Sequence, residues 1–234
     1  QYSRDPFLLD SIYDISYRKN DSSWRSSSNE EIFNKVINLP KNESETTFRV
    51  KWIKDSIQSL SSYGLINYSN SPRRMLDIGG GTGVFAYEFK DEGWISHVID
   101  SDQNAMFIEE KLKIPFACKR YQPKSFDFSF DLITMIFVLE HLLDPEKILN
   151  QLHQDMMPNS LIYIEVPDSI CFHYKAQSDD IYNSCHLWMF SPNTILPLLD
   201  RCGFNILRLN RMKTMRGHFS LMVLASQKMK DVDY

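Results

Sequence analysis

The chain predicts an α/β fold in which a seven-stranded, mostly parallel sheet carries helices on both faces and ends in an antiparallel edge hairpin. Three observations carry that expectation. From Arg73 onward short apolar strands alternate with helical patterns, as right-handed βαβ crossovers require. The first strand runs straight into Gly79-Gly80-Gly81-Thr82-Gly83, which holds four of the chain's eight glycines. Glycine is needed where the backbone takes positive φ or a ligand comes against it, and an open parallel sheet binds ligands at such a turn. The last two apolar stretches are joined by Asn210 to Gly217, short and without a helix, so they pair antiparallel.

Residues 1–28 set Tyr2, Phe7, Tyr13, Tyr17 and Trp24 among polar residues with no clean period, and read as a cap. Asn29 is a plausible N-cap for a helix carrying Ile32, Phe33, Val36 and Ile37, which Pro40 stops near Leu39. Lys41 to Thr47 is polar linker, and Trp52, Ile53, Ile57 and Leu60 mark one face of a second helix ending before Gly64. Residues 1–72 thus form an N-terminal helical cap or lid and residues 73–234 the sheet domain. The strands are expected at 73–78, 94–99, 115–118, 130–137, 160–166, 203–210 and 218–226, with an amphipathic run from Thr82 to Asp91 after the first.

At 234 residues the chain suits one sizeable domain with a decoration. A net charge of −4 spread along the chain argues against a nucleic-acid substrate. An aromatic content of 13% suits a pocket for a large ligand, although ordinary core accounts for most of it. Cys118, Cys171, Cys185 and Cys202 show no C-x-x-C spacing, no apolar leader opens the chain, and no run reaches the roughly 20 residues of a membrane span. A reduced, cytoplasmic protein, monomer or homodimer, is the expectation, and three Asn-x-Ser sequons beginning at Asn20, Asn42 and Asn67 are read as chance.

The strand, glycine turn, helix and second strand close on Asp100, about 20 residues after the glycines, where an acid accepts hydrogen bonds from ribose hydroxyls. Read from Gly81, Gly81-Thr82-Gly83-Val84-Phe85-Ala86 also satisfies the G-x-G-x-x-A form used for NAD or FAD. Asp77 at the mouth of the turn decides against a dinucleotide, since a carboxylate there repels a pyrophosphate seated on the helix N-terminus. S-adenosylmethionine carries no phosphate and brings two cationic groups.

With these residues the chain resembles the class I S-adenosylmethionine-dependent methyltransferases, a Rossmann-like family whose first motif is an acid, one residue, then spaced glycines. Phe130-Asp131-Leu132-Ile133 followed by Val138-Leu139-Glu140-His141-Leu142-Leu143-Asp144-Pro145 is similar to the fourth strand and loop of one branch of that family. Pro158 to Pro167 is similar to its fifth strand, with Pro158-Asn159-Ser160 in place of the usual Pro-Gly-Gly turn. His186 to Pro192 and Leu198 to Phe204 are similar to the segment entering the last helix and the turn into the sixth strand. The resemblance covers residues 73–227 and implies that Asp77, Gly79, Gly81 and Gly83 hold the amino-acid end of the cofactor. It places Asp100 at the ribose, with Ser101 beside it a cofactor-binding candidate, although Ser101 and Asp102 suit a helix cap better than a ligand contact. Met135 and Ile136 match positions lining the methionine moiety, or are plain core. The family's acid after the third strand is missing from Cys118-Lys119-Arg120-Tyr121, and Tyr121 either stacks on adenine or packs.

Methyl transfer needs positioning and, for a hydroxyl acceptor, removal of a proton. His141, beside Glu140 where the fourth strand meets its loop, and His186, in the loop after the fifth strand, are the candidate bases; hydrogen bonding around the Asp144-Pro145 helix start is the structural alternative for the first pair. His173 and Tyr174 share the second loop with weaker claims. Cys171, His173, Cys185 and His186 fit no zinc spacing, so no metal is expected. Arg211, Lys213 and Arg216 are ordinary hairpin charges or a landing site for an acceptor's phosphate. The implied activity is methyl transfer to a small molecule, a sugar or nucleotide-sugar hydroxyl first and a quinone or natural product second. A NAD-dependent oxidoreductase and a non-catalytic partner subunit stand behind it, and the branch alone does not name the acceptor.

Overall fold

Consecutive strand residues of this chain fall alternately into two separate apolar clusters, which is how one sheet comes to be covered on both faces. Met75, Val98, Leu132, Leu161 and Met222 point to one side, and their successors Leu76, Ile99, Ile133, Ile162 and Val223 to the other. The computed structural model describes residues 27–67, 72–91, 93–176, 179–182, 186–215 and 217–228. Seven strands form one sheet: β1 (Arg73–Ile78), β2 (Trp94–Asp100), β3 (Phe116–Cys118), β4 (Phe130–Ile136), β5 (Met156–Pro167), β6 (Phe204–Lys213) and β7 (Phe219–Gln227). Their order is β3-β2-β1-β4-β5-β7-β6. All neighbours are parallel except β7, which runs antiparallel to both β5 and β6, so the expected hairpin is present with β6 outermost.

Every strand but β1 departs from its expected bounds, by one residue for most and by three at the end of β6, and two of the departures have a backbone reason. β4 stops at Ile136, one residue early, because Phe137 turns to φ +55°. β5 starts at Met156 rather than residue 160. Its register against β4 jumps between Phe130 and Leu132, and Asn159 sits in the left-handed region at φ +64°, so the turn expected at Pro158-Asn159-Ser160 is absorbed as an irregularity within the strand. The hairpin turn tightens to Thr214 to His218, with the His218 carbonyl accepting from Thr214 N at 2.7 Å.

Helices α1 (Asn29–Ile37) and α2 (Glu45–Ser62) precede β1. The cap of α1 is Ser28 rather than Asn29, because Ser28 and Glu31 close a reciprocal capping box. Phe33 from α1 and Val50, Ile53, Ile57 and Leu60 from α2 are buried in the first cluster, joined by α3 (Val84–Phe89). The short α4 (Phe107–Glu110) adds Phe107 and Ile108 to the same cluster, and opposite lie α5 (Pro145–Leu152) and α6 (Pro192–Arg201), which fill the second cluster. Asp144 caps α5 and Pro145 occupies its first turn, as the sequence suggested.

One polar connection crosses the first face. Arg49 of α2, itself buried, donates to both carboxylate oxygens of Glu165 on β5 at 2.6 and 2.8 Å, and Glu165 also accepts from Tyr163 and Ser220. A buried pair satisfied on both oxygens fixes where α2 sits on the sheet. The expected cap over residues 1–28 lies, up to residue 26, outside the described residues. No helix among the described residues is long and apolar enough to cross a membrane.

Candidate functional site

The glycine turn after β1 is held open by three different constraints. Gly79 takes φ +73°, and a Cβ there would lie 2.5 Å from Val138 Cγ2. Gly83, at φ +71° on the N-terminus of α3, would meet Ile108 at 2.8 Å. Gly80 needs no unusual φ but has no room: its Cβ would fall 2.6 Å from Val98 and 2.9 Å from the Asp77 carboxylate. Beneath the turn Asp77 is only 2% exposed and accepts the Thr134 hydroxyl at 2.7 Å. Burial pushes its carboxyl up to about 7, against the Thr134 hydrogen bond and with the charge of Asp100 adding to the rise.

Asp100 ends β2 with both oxygens engaged, Oδ2 accepting from Gly81 N at 2.9 Å and Oδ1 from Asp102 N at 2.8 Å. A carboxylate offers about four lone-pair sites, so it braces the glycine turn and keeps capacity for hydroxyl donors. Asp102, not Ser101, caps the following short 3₁₀ turn, and it also receives Asn29 Nδ2 from α1 at 3.1 Å.

A cavity of about 810 Å³ opens at the carboxyl ends of β1, β2 and β4, where a doubly wound sheet is expected to bind. Of the residues singled out from sequence, Gly79, Asp100, Ser101, Tyr121, Met135 and His141 line it. Asp77, Gly81, Gly83, Ile136, Glu140 and His186 do not: Asp77 is buried beneath the turn, Gly81 and Gly83 belong to the turn but not to the cavity wall, Ile136 packs against the first apolar cluster, and the last two stand beside His141. Tyr121 is oriented by its hydroxyl, which donates to Asp155 at 2.6 Å, and Asp155 also accepts from Lys124 N. Burial and that carboxylate hold the phenol well above its ordinary range.

At the β4 end, Phe137 lines the cavity in its left-handed conformation, with its N–H donating to the Glu165 carbonyl and its ring 5.5 Å from the Arg49 guanidinium. The turn Leu139–His141 follows. Glu140 is 1% exposed, and neither carboxylate oxygen has a hydrogen-bond partner in another described residue. Burial pushes it up to about 8, partly offset by its own backbone N–H and reinforced by Glu165. Its carbonyl accepts from both Leu187 N and Trp188 N, and Trp188 Nε1 donates to the Leu142 carbonyl at 2.7 Å. These bonds staple the second loop onto the first and set the His186 ring 4.9 Å from that of His141. His186 Nδ1 lies 2.7 Å from the Ile181 carbonyl, which makes Nδ1 the protonated nitrogen of the neutral ring.

Several residues here escaped the sequence reading. The sequence places Phe137 at the end of a strand, and nothing in its type signals positive φ. Lys119, Arg120 and Lys147 bring positive charge to the cavity wall, whereas Arg211, read as an ordinary hairpin charge or a landing site for phosphate, is paired at 2.6 Å with buried Asp168. His173 is exposed, with Nδ1 on the Ile170 carbonyl, and Cys185 and Arg216 lie outside the described residues.

A family model described as a methyltransferase domain matches residues 48–209, well over half of the chain. Among solved structures, 1,6-didemethyltoxoflavin-N1-methyltransferase of Burkholderia thailandensis, with bound 1,6-didemethyltoxoflavin and S-adenosylhomocysteine, superposes with a TM-score of 0.56 at 16% identity, covering 97% of this chain and 87% of that one. Magnesium protoporphyrin IX methyltransferase of Synechocystis PCC 6803 with bound S-adenosylmethionine gives 0.58 at 14% identity, covering 97% and 99%. The N-methyltransferase NodS of Bradyrhizobium japonicum WM9, in complex with S-adenosylhomocysteine, gives 0.57 at 14%, covering 87% and 100%. At such identities these structures share the fold. No curated protein matches the chain by sequence.

Proposed function

We propose, from the premise that this chain belongs to the class I S-adenosylmethionine-dependent methyltransferases, that its acceptor is a small-molecule hydroxyl, a sugar or nucleotide-sugar first and a quinone or natural product second. One observation carries the reading: a single cavity runs from the ribose-type acid Asp100 to an imidazole at the end of β4, so cofactor and acceptor sites share one wall. The residues suit this cofactor. Gly79 presents a surface without Cβ, Asp100 keeps acceptor capacity for two ribose hydroxyls, and Ile78, Ile99, Met135 and Tyr121 supply apolar wall. Asp77 acts from beneath the turn, its charge favouring the cofactor's ammonium group rather than touching it across the wall.

The cofactor supplies a methyl group already activated on a sulfonium. This chain's residues then have two tasks, holding the acceptor oxygen in line with that methyl and taking its proton. His141 faces the cavity and is placed for the second task, with His186 beside it and Glu140 behind. Lys147, at the start of α5 just after the β4 loop, offers charge to an acceptor that carries phosphate, which supports the nucleotide-sugar class. The structures similar to this one bear names as different as 1,6-didemethyltoxoflavin and magnesium protoporphyrin IX, which leaves the acceptor to experiment.

The test is calorimetric titration with S-adenosylhomocysteine, followed by methyl transfer from labelled S-adenosylmethionine to panels of sugar, nucleotide-sugar and phenolic acceptors. Micromolar binding with turnover on hydroxyl acceptors is expected; binding with transfer only to amines or carbon acceptors would sink the hydroxyl assignment. Absence of binding would favour a non-catalytic partner subunit.

A further inference from the structure

We propose that Glu140, His141 and His186 form a binding site for one divalent transition-metal ion, of the zinc or ferrous type, on the acceptor side of the cavity. Two imidazoles and a carboxylate are a donor set that such ions prefer over magnesium or calcium, which favour all-oxygen shells. In the structure one donor atom from each residue lies within 4.8 Å of the other two. Ligation at about 2.0–2.2 Å brings donors roughly 3.3 Å apart in a tetrahedral shell, a contraction that side-chain rotation supplies.

Two further features point to a ligand. Glu140 is a carboxylate excluded from water whose oxygens find no hydrogen-bond partner in another described residue, a costly state that a cation removes. His186 gives its Nδ1 proton to the Ile181 carbonyl, which leaves the lone pair on Nε2 and fixes the ring, the outer-shell arrangement common to metal-bound histidines. The backbone bonds from Leu187 and Trp188 to the Glu140 carbonyl hold both loops in register, so the three donors are brought together before any ion arrives. The four ligand candidates read from sequence, Cys171, His173, Cys185 and His186, share only one member with this group.

Because His141 lies on the cavity wall, the fourth position of the ion faces the space assigned to the acceptor, where an acceptor oxygen or a water completes the shell. This part rests on the hydroxyl-acceptor reading; the metal site does not. In the metal-free chain His141 would take the acceptor's proton, whereas in the loaded chain it would be a ligand and the ion would lower the pKa of the bound hydroxyl, so that its proton leaves to solvent water before methyl transfer.

The experiment is titration of the full chain, stripped with a chelator, with Co²⁺ followed by its visible d–d spectrum, then competition with Zn²⁺. Uptake of one ion per chain, with intensities of a four- or five-coordinate N/O site, is expected. Loss of that spectrum in His186→Ala and in the near-isosteric Glu140→Gln, while His173→Ala retains it, supports the site. Wild-type protein without the spectrum, or variants that keep it, overturns the proposal. Circular dichroism shows whether each variant is folded, and should His186→Ala unfold, Glu140→Gln and the milder His186→Gln decide. S-adenosylhomocysteine binding in the same samples separates the two readings: cofactor binding without metal uptake removes the metal site alone, and metal uptake without cofactor binding removes the methyl-transfer reading alone.

Discussion

Two buried carboxylates stand at neighbouring strand ends, and only one of them is accommodated. Asp77, at the end of β1, accepts a hydroxyl from Thr134 and lies under a turn whose other members are braced by Asp100. Glu140, just past β4, has no such partner among the other described residues and stands beside two imidazoles. The β1–β2 side is therefore a finished cradle built from a stretch of 24 residues, Asp77 to Asp100. The β4–β5 side is assembled from two loops stapled together, and its chemistry depends on what enters it. A fold used for many acceptors has reason to keep its cofactor half rigid and its acceptor half adaptable.

If the two halves are separable, substitutions should divide the same way. His141→Gln should lower kcat by about 10²–10⁴, the usual worth of a positioned acid or base, with S-adenosylhomocysteine affinity within a few fold of wild type by calorimetry. A parallel loss of affinity would mean that His141 supports the cofactor and that the division is wrong. Asp100→Asn should do the reverse and weaken S-adenosylhomocysteine by about 100-fold, since hydrogen bonds to a charged acceptor are worth about 1.5–3 kcal/mol each. Retained affinity in that variant would mean that Asp100 only braces Gly81 and Asp102.

The stability of the two carboxylates sharpens the contrast. Glu140 is raised from 4.5 to about 8 in the folded chain, so protons are held more tightly in the native than in the unfolded state. Its contribution is greatest below about pH 4.5 and is lost as pH rises toward 8. Glu140→Gln should remove that decline and raise stability at pH 8 by about 2 kcal/mol or more, read as a shift in urea midpoint between pH 5 and pH 8. An unchanged pH dependence would show that Glu140 has found a partner in solution.

How far each half was legible in the sequence follows from the same contrast. Asp77, the glycines and Asp100 are local in sequence, each marked by a residue type that does something unusual, so strand, turn and acid could be read without a structure. The mostly parallel sheet and its antiparallel edge hairpin followed from the alternation of strands with helices and the short last connection, whereas the strand order β3-β2-β1-β4-β5-β7-β6 came from the structure. What stayed hidden was non-local or conformational. Arg49 meets Glu165 across 116 residues, Phe137 adopts positive φ without being glycine or asparagine, and Asn159 buries a turn inside a strand. His141 and His186 were singled out separately as bases, but the hydrogen bonds from Leu187 and Trp188 that bring them together leave no trace in either motif. The metal-capable group has no spacing signature because its ligands come from two loops 45 residues apart, and the nearer Cys171, His173, Cys185 and His186 fit no zinc pattern.

The smallest expected effect tests whether Asp77 works through its charge. Its carboxyl titrates near 7 in the folded chain, raised by burial, so around neutrality it is only partly ionised. Both S-adenosylmethionine and S-adenosylhomocysteine bring an ammonium group, which attracts the ionised form and releases the proton. Affinity for S-adenosylhomocysteine should therefore rise by up to about tenfold from pH 6 to pH 8 and then level off. Proton release, measured by calorimetry in buffers of different ionisation enthalpy, should accompany binding on the acid side of this range. Asp77→Asn keeps an oxygen for the Thr134 hydroxyl but carries no charge, so its affinity should be flat with pH and near the wild-type value at pH 6. A slope that survives in Asp77→Asn would assign the titration to another group and leave Asp77 as a structural partner of Thr134 alone.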